Sequence, residues 1–320
     1  MESNLGSERN INMPPLERKK TRRLKPAGWA LVIVLFLLCA WLGFWLGQSI
    51  MDPLVPKDKT GAFDAGVNTS DVLNILLLGA DQRENEPARS DTIIVASLDL
   101  KEKKVHLLSI PRDTRVDIPG KNIKTKINHA HAVGGSELAT QTVEKFLGIP
   151  IHYYIETNFQ GFESIIDILG GITLNVEERM YLPLEDINLK AGLQKLKGHD
   201  ALSYVRWRGD GTGDIGRIQR QQKFFKALAD QSMQFSTIWK LPELLGELNK
   251  QVKTDLNVQK MITLANKFRD FKNLKLETDM VPGGPEDING GSYWIADTKA
   301  LKKIVDQMYD RTEPGEAAKK

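Results

Sequence analysis

Hydrophobic and polar positions divide this chain into three regimes. Residues 27–50 (AGWALVIVLFLLCAWLGFWLGQSI) run without a charge. At about 1.5 Å per residue a helix of that length reaches roughly 36 Å, enough to cross a hydrocarbon core of roughly 30 Å. The run exceeds the apolar region of a cleavable signal peptide, about 7–15 residues. Cys39 lies inside it with apolar residues continuing beyond, which does not suit lipidation, and Trp29, Trp41 and Trp45 suit the membrane interfaces. Residues 51–71 carry Pro53, Pro56, Gly61 and Gly66 among polar residues and read as a linker. Beyond them come short apolar, β-branched runs at 72–78, 92–98 and 105–110, the pattern of strands buried on both faces, with further strands at 153–156 and 276–281. Helical spacing fills the intervals. It covers 127–147, with Ser136 after Gly134-Gly135 as a candidate N-cap, then Phe162, Ile165, Ile166 and Leu169 before the Gly170-Gly171 stop. A helix from Gly198 leads to Tyr204-Val205, and a longer one begins near Asp214 and continues, broken at Pro242, to about Val252. Helices over 258–268 and 298–308 follow. Strands alternating with helices predict an α/β fold, a three-layer α/β/α sandwich around a central mixed β-sheet, preceded by one transmembrane helix. Residues 72–310 form one domain in this reading, without internal repeats, and 311–320 a disordered tail.

Charge sets the orientation. Residues 1–26 hold seven Lys/Arg against three acids, net +4, while the remainder holds 37 Lys/Arg against 38 Asp/Glu, net −1. The basic tail precedes the span and the first charge after it is Asp52, so the positive-inside rule places the amino terminus in the cytoplasm and residues 72–310 outside the cell. Ordinary positive-inside charge accounts for Arg22-Arg23 better than a twin-arginine signal. A near-neutral main domain lacks the basic footprint of a nucleic-acid binder, and the tail is too short for a folded DNA-binding motif. The only cysteine lies in the span, so the domain relies on its core and not on disulfides.

Four stretches carry candidate chemistry. In LLLGADQR and RSDTI, Asp81 and Asp91 flank a strand–loop–strand connection that can bring both carboxylates to one sheet edge, where with substrate phosphate they would suit Mg²⁺; the alternative is that each caps a turn. In SIPRDT, Arg112 projects at a strand end beside Asp113, as an anion contact or a surface ion pair. In LKAGLQKLKGHDALSYVRWR, a chain leaving its helix near Tyr204 puts Arg206 and Arg208 two apart on an extended segment facing one side. Two such forks suit a diphosphate, or they mark a basic surface strand. In GDIGRIQRQQKFFKAL, Ile215, Ile218, Phe225 and Leu228 define an apolar stripe with Arg217 and Gln221 along its margin and Arg220 farther toward solvent. An arginine at a buried margin needs a carboxylate or a substrate phosphate; the phosphate is favoured. His129 and His131 lack a third metal ligand at useful spacing and read as helix-start and packing residues. The glycines of RGDGTGD indicate a mobile loop. No G-x-S-x-G, H-E-x-x-H or Walker-A pattern occurs.

The ordered set LLLGADQR, RSDTI, LLSIPRDT, KINHAHAVGG, GFESIIDILGGI, LKAGLQKLKGHDALSYVRWR and GDIGRIQRQQ resembles the LytR–CpsA–Psr family, from about Leu73 to Met308. The resemblance implies a phosphotransferase that takes an anionic glycopolymer, such as wall teichoic acid, from a polyprenyl-pyrophosphate carrier. Its acceptor would be the 6-hydroxyl of N-acetylmuramic acid in peptidoglycan, joined through a phosphodiester, with polyprenyl monophosphate as a product. Family metal-binding aspartates fall on Asp81 and Asp91, for Mg²⁺ or Mn²⁺. Pyrophosphate-binding arginines fall on Arg112, Arg206, Arg208 and Arg217, with Gln221 beside them and Arg83 as a further contact. Asp81, Asp91, Arg112 and Arg217 are thereby the expected catalytic set. Membrane lipid, the glycopolymer donor, peptidoglycan and a cell-wall synthesis complex are the implied partners; nucleic acid is not. An apolar tunnel for the polyprenyl tail is expected between the sheet and helices beginning near Ile127, Phe162 and Ile215. A pyrophosphatase passing the same group to water, and a non-catalytic lipid-binding regulator of the cell envelope, are the competing readings.

Overall fold

Alternate residues of a strand point to opposite faces, and here both faces of the central sheet carry a core. The computed structural model describes residues 72–81, 89–232, 251–257, 259–261, 263–264 and 275–309. The expected cytoplasmic tail (1–26), membrane span (27–50), linker (51–71) and disordered tail (311–320) lie outside the described residues, as does the expected continuation of a helix across Pro242. In chain order the elements are β1 (Val72–Asp81), β2 (Arg89–Asp99), β3 (Lys104–Ser109), β4 (Arg115–Ile118), β5 (Ile123–Lys126), α1 (Asn128–Leu147), β6 (Tyr153–Thr157) and α2 (Phe159–Ile168). There follow β7 (Ile172–Val176), β8 (Met180–Leu182), β9 (Ile187–Leu189), β10 (Gly192–Leu196), α3 (Gly198–Arg206) and α4 (Gly213–Ser232). The chain closes with β11 (Val252–Thr254), β12 (Lys275–Met280), β13 (Gly283–Ile288), β14 (Gly291–Ala296) and α5 (Thr298–Met308).

The central sheet has the order β11-β6-β1-β2-β3-β12. It is mixed: β1–β2 and β2–β3 pair antiparallel, β1–β6 and β3–β12 parallel. On one face Leu76, Leu78, Ile93, Val95 and Leu108 pack with Ala139, Val143 and Leu147 of α1 and Leu301, Val305 and Met308 of α5. On the other, Leu73, Ile75, Ile94, Ala96 and Leu107 pack with Tyr153, Leu256 and Leu264, and Phe225 of α4 joins them. A third cluster (Ile166, Leu174, Met180, Leu196, Tyr204, Phe224) knits α2, α3 and α4 to the small ribbons β7–β10 and β8–β9. Those ribbons, β4–β5 and β13–β14 carry no strand prediction in the sequence reading. For β13–β14 a signal existed: Asn289-Gly290, both at positive φ (51° and 79°), makes the two-residue turn of a tight hairpin.

α1 matches its expected range but is not one straight helix. It begins at Asn128 and bends at Gly134 and Gly135, which leave helical angles. Ser136 is no N-cap: its hydroxyl donates to the Glu156 carboxylate on β6. His131, in the first turns of α1, approaches the same oxygen at 3.0 Å, and Lys253 Nζ lies 3.2 Å from the other. Glu156 is 6% exposed. The His131 hydrogen bond above all, with those of Ser136 and Lys253, outweighs burial and holds its pKa at about 2.

A group with a depressed folded-state pKa stabilises the fold above its unfolded pKa, and that contribution is lost as pH falls through the folded value. Glu156→Gln should therefore lower the urea midpoint at pH 7 and flatten the loss of stability between about pH 4.5 and 2, the window set by the shift. An unchanged acid profile would show that the carboxylate charge does not hold α1 to β6.

Candidate active site

The site is built where the strands end. Gly79 pairs with Thr92 but Ala80 pairs with Ser90, so Asp91 is an extra residue in β2, a bulge that re-aims its side chain. Gly79 permits the close pairing, since a Cβ there would lie 3.1 Å from that of Thr92. Beside it the chain leaves β3 through Ile110 and Pro111. Thr114 closes a tight turn by donating its N–H and hydroxyl to the Pro111 carbonyl at 2.9 and 2.6 Å. The turn is clamped from outside, because Trp294 of β14 donates its N–H to the Asp113 carbonyl at 2.9 Å.

Arg112 thereby reaches across the strand ends. Its Nη1 donates to Asp91 Oδ1 at 2.8 Å, and its Nε lies 3.1 Å from Asp214 Oδ2 and 3.8 Å from Asp113 Oδ2. Burial opposes the charge, but the Asp91 hydrogen bond and the charges of Asp214, Asp91 and Asp113 prevail and raise the pKa above its ordinary value. Asp214, in the first turn of α4, also lies 3.4 Å from Arg217 Nη1 and 3.5 Å from Arg208 Nε. Arg217, 4% exposed, donates through Nη2 to the Asp91 carbonyl at 3.1 Å. One turn on, Gln221 donates to Thr92 Oγ1 at 3.1 Å and to the Val205 carbonyl at 3.4 Å. Arg112, Arg208, Arg217 and Asp91 thus meet around Asp214, which the sequence reading does not include. Its signal was its place three residues before Arg217 on one helix.

Several expectations change. Arg206 and Arg208 do not share an extended segment: Trp207 N–H still bonds to Ser203, so α3 runs through Arg206 and only then opens. Both line the same cavity, but Arg206 stacks 4.6 Å above the Phe159 ring and lies 3.4 Å from Glu185, while Arg208 turns to Asp214. On α4, Ile215 is exposed whereas Ile218 is buried. Arg220 is buried rather than solvent-facing, donating to the Trp207 carbonyl at 2.6 Å and pairing with Asp210. That pairing, with the N–H and hydroxyl of Thr212 also donating to Asp210, anchors the loop expected to be mobile. Hydrogen bonding from Arg220 holds the Asp210 pKa at about 2.

Behind the arginines lies a cavity of about 450 Å³. Its walls are apolar: Leu77, Ile94 and Ile155 of the sheet, Phe162 and Ile165 of α2, Leu202 and Val205 of α3, and Phe224, Phe225 and Leu228 of α4. α1 does not wall it, contrary to expectation, because α1 packs on the opposite sheet face with Leu76 and Val95. Asp91, Arg112, Arg206, Arg208, Arg217 and Gln221 line it from the strand ends, α3 and the start of α4. Among the described residues the buried Nε–H groups of Arg112 and Arg217 have no aligned hydrogen-bond acceptor, so a ligand with several oxygens fits the gap. Asp81 ends β1 opposite Arg89, at the strand edge where Asp91 bulges; its side chain and all of Arg83 lie outside the described residues. Among the described residues no group of three or more His, Cys, Asp or Glu could hold a metal. Two carboxylates completed by substrate phosphate oxygens remain a suitable hard donor set for Mg²⁺.

Residues 46–310 match the LytR_cpsA_psr family. A relative from Oceanobacillus iheyensis, called polyisoprenyl-teichoic acid–peptidoglycan teichoic acid transferase TagU, is 38% identical over 245 residues, 74% of this chain and 75% of that protein. Among solved structures, TagT bound to LIIa-WTA superposes with a TM-score of 0.67 at 30% identity, covering 80% of this chain and 96% of that one. The LytR-CPS2A-psr family protein YwtF (TagT) with bound octaprenyl pyrophosphate lipid gives 0.62 at 29% identity, with the same coverage.

Removing Arg220 strands the Trp207 carbonyl and leaves Asp210 with Thr212 but no cation. Arg220→Ala should cost about 2 kcal/mol or more in chemical unfolding, and Arg220→Lys, with charge but no fork, should recover only part. A cost below about 0.5 kcal/mol would mean the loop does not depend on this pair.

Proposed function

The chain belongs to the LytR–CpsA–Psr family, and from that premise we propose that it is a membrane-anchored phosphotransferase of the bacterial cell wall. It takes an anionic glycopolymer, wall teichoic acid, from a polyprenyl-diphosphate carrier and joins it through a phosphodiester to an N-acetylmuramic acid hydroxyl of peptidoglycan. The observation that carries this reading is the meeting of Arg112, Arg208, Arg217 and Asp91 at the rim of an apolar cavity. The name of the TagU relative and the lipids in the two TagT structures support it. The uncharged run at 27–50 behind a basic tail supports a single-pass anchor with its amino terminus in the cytoplasm and residues 72–310 at the outer surface.

The carrier's tail occupies the apolar cavity, which keeps isoprene units from water at about 0.8 kcal/mol for each buried CH₂. Its diphosphate lies at the rim, where its oxygens accept from the Nε–H groups of Arg112 and Arg217, which have no aligned acceptor among the described residues. The acceptor hydroxyl attacks the phosphorus that bears the polymer and gives up its proton to solvent. The bond from that phosphorus to the bridging oxygen breaks, and the lipid departs as its monophosphate. The guanidinium groups stabilise the charge that builds on the departing phosphate, and their fixed positions mean little reorganisation is required. Asp81 and Asp91 would hold Mg²⁺, which when bound supplies further neutralisation of the diphosphate.

Arg112→Ala and Arg217→Ala should each lower polymer transfer by about 10² or more while the protein still folds. The assay is phosphodiester-linked polymer on peptidoglycan; accumulation of free polymer phosphate by the wild-type protein would favour a hydrolase. Full attachment by Asp81→Ala in cells lacking related transferases would remove the metal role. Mass spectrometry of lipid co-purifying with the full chain tests the substrate class, and the absence of any polyprenyl species would count against it.

A further inference from the structure

β4 and β5 form a two-stranded ribbon whose outward face is cationic. Arg115 pairs with Lys126 and Asp117 with Lys124, while Val116 and Ile118 turn inward to the core shared with α1. Alternation therefore puts Arg115, Asp117, Lys124 and Lys126 on the other face. Two cations directly opposite one another destabilise a ribbon, and here the compensation is partial. Lys126 Nζ lies 2.8 Å from Asp113 Oδ1, and Arg115 and Lys126 stand 5.8 and 5.7 Å from the centre of the Tyr293 ring. Lys124 reaches Asp117 only at 3.9 Å, with both side chains half exposed. Among the described residues Arg115 has no carboxylate within ion-pair distance. A face with this excess of cations suits an anionic ligand.

Its position says which anion. The ribbon starts three residues after Arg112, and Asp113 bridges the two, 3.8 Å from Arg112 and 2.8 Å from Lys126. The apolar cavity leaves the rim on the face of the sheet covered by α2, α3 and α4, whereas the ribbon packs its apolar side with α1 on the opposite face. A diphosphate at the rim thus has an apolar exit for its lipid and a cationic exit for whatever its other phosphate carries. The geometry points to a second subsite in which Arg115 and Lys126, both against the Tyr293 ring, and Lys124 beside them bind the phosphate-bearing saccharide chain of the donor. This subsite rests on the transferase reading above.

The test compares two ligands on the full chain in detergent micelles: octaprenyl diphosphate, and the same lipid diphosphate carrying a poly(glycerol phosphate) glycopolymer. The double substitution Arg115→Gln/Lys124→Gln should weaken the polymer-bearing ligand about tenfold, the size of two screened ion contacts, and make its binding less salt-dependent. Octaprenyl diphosphate should bind within about twofold of wild type, which also reports an intact fold and rim. Unchanged affinity for the polymer-bearing lipid overturns the proposal, as does an equal loss for both ligands. A raised KM for peptidoglycan with donor binding unchanged assigns the ribbon to the acceptor and overturns it too. Failure of the wild-type protein to bind octaprenyl diphosphate would instead sink the transferase reading itself.

Discussion

Three guanidinium groups brought to one place repel one another, and the strand-end rim of this protein exists because two carboxylates are shared among them. Asp214 lies within 3.5 Å of Arg112, Arg208 and Arg217, and Asp91 takes the remaining fork of Arg112. Neither carboxylate arrives by accident of surface placement. Asp91 is delivered by a bulge between β1 and β2, and Asp214 by the first turn of α4, where the helix dipole also favours an anion. Arg217 is held from the other side by the Asp91 carbonyl. Strand ends, a helix start and a clamped turn thus converge on a few charges, and the surrounding elements are arranged to keep them there.

The two faces of the central sheet divide the remaining work. The α1 and α5 face is a filled core, pinned at the bend in α1 by the buried Glu156 and its partners. The other face is filled only in part, leaving the apolar cavity between Leu77, Ile94 and Ile155 and the aromatic side chains of α2 and α4. Burying a lipid there is non-directional and scales with area, so the cavity sets how tightly a long apolar ligand is held. The charges at the rim act over short distances with defined geometry, and they decide which bond of that ligand sits at the rim. Affinity and orientation come from different layers of one fold.

Much of this was legible along the chain because it depends on local pattern. The buried strands, the α2 helix with its glycine stop and the closing helix follow from periodicity, and α5 matches its expected range. The resemblance, and not periodicity, grouped Arg112, Arg217, Gln221 and Asp91, and the structure places all four along one cavity. What periodicity did not reveal depends on pairing distant in sequence. Asp214 looked like a helix-start residue, and its role appears only when the turn after β3 is laid over α4. Arg220 looked solvent-facing on a wheel, yet the Asp210 loop folds back over it. α1 was expected at the cavity wall, but both faces of the sheet are apolar, and the three-dimensional packing, not composition, decides which helices cover which face.

The shared carboxylates also limit what this site can hold. Each arginine at the rim already has an anionic neighbour, so a ligand must offer more than it displaces. A single carboxylate could exchange with Asp214 and gain nothing. A diphosphate brings several oxygens at once, enough to reach the buried Nε–H groups of Arg112 and Arg217 that have no aligned acceptor among the described residues. A buried donor without an aligned acceptor is unfavourable, so a ligand that supplies acceptors to both gains what a single small anion does not. The selectivity follows from two oriented donors beside an apolar cavity, and not from net charge.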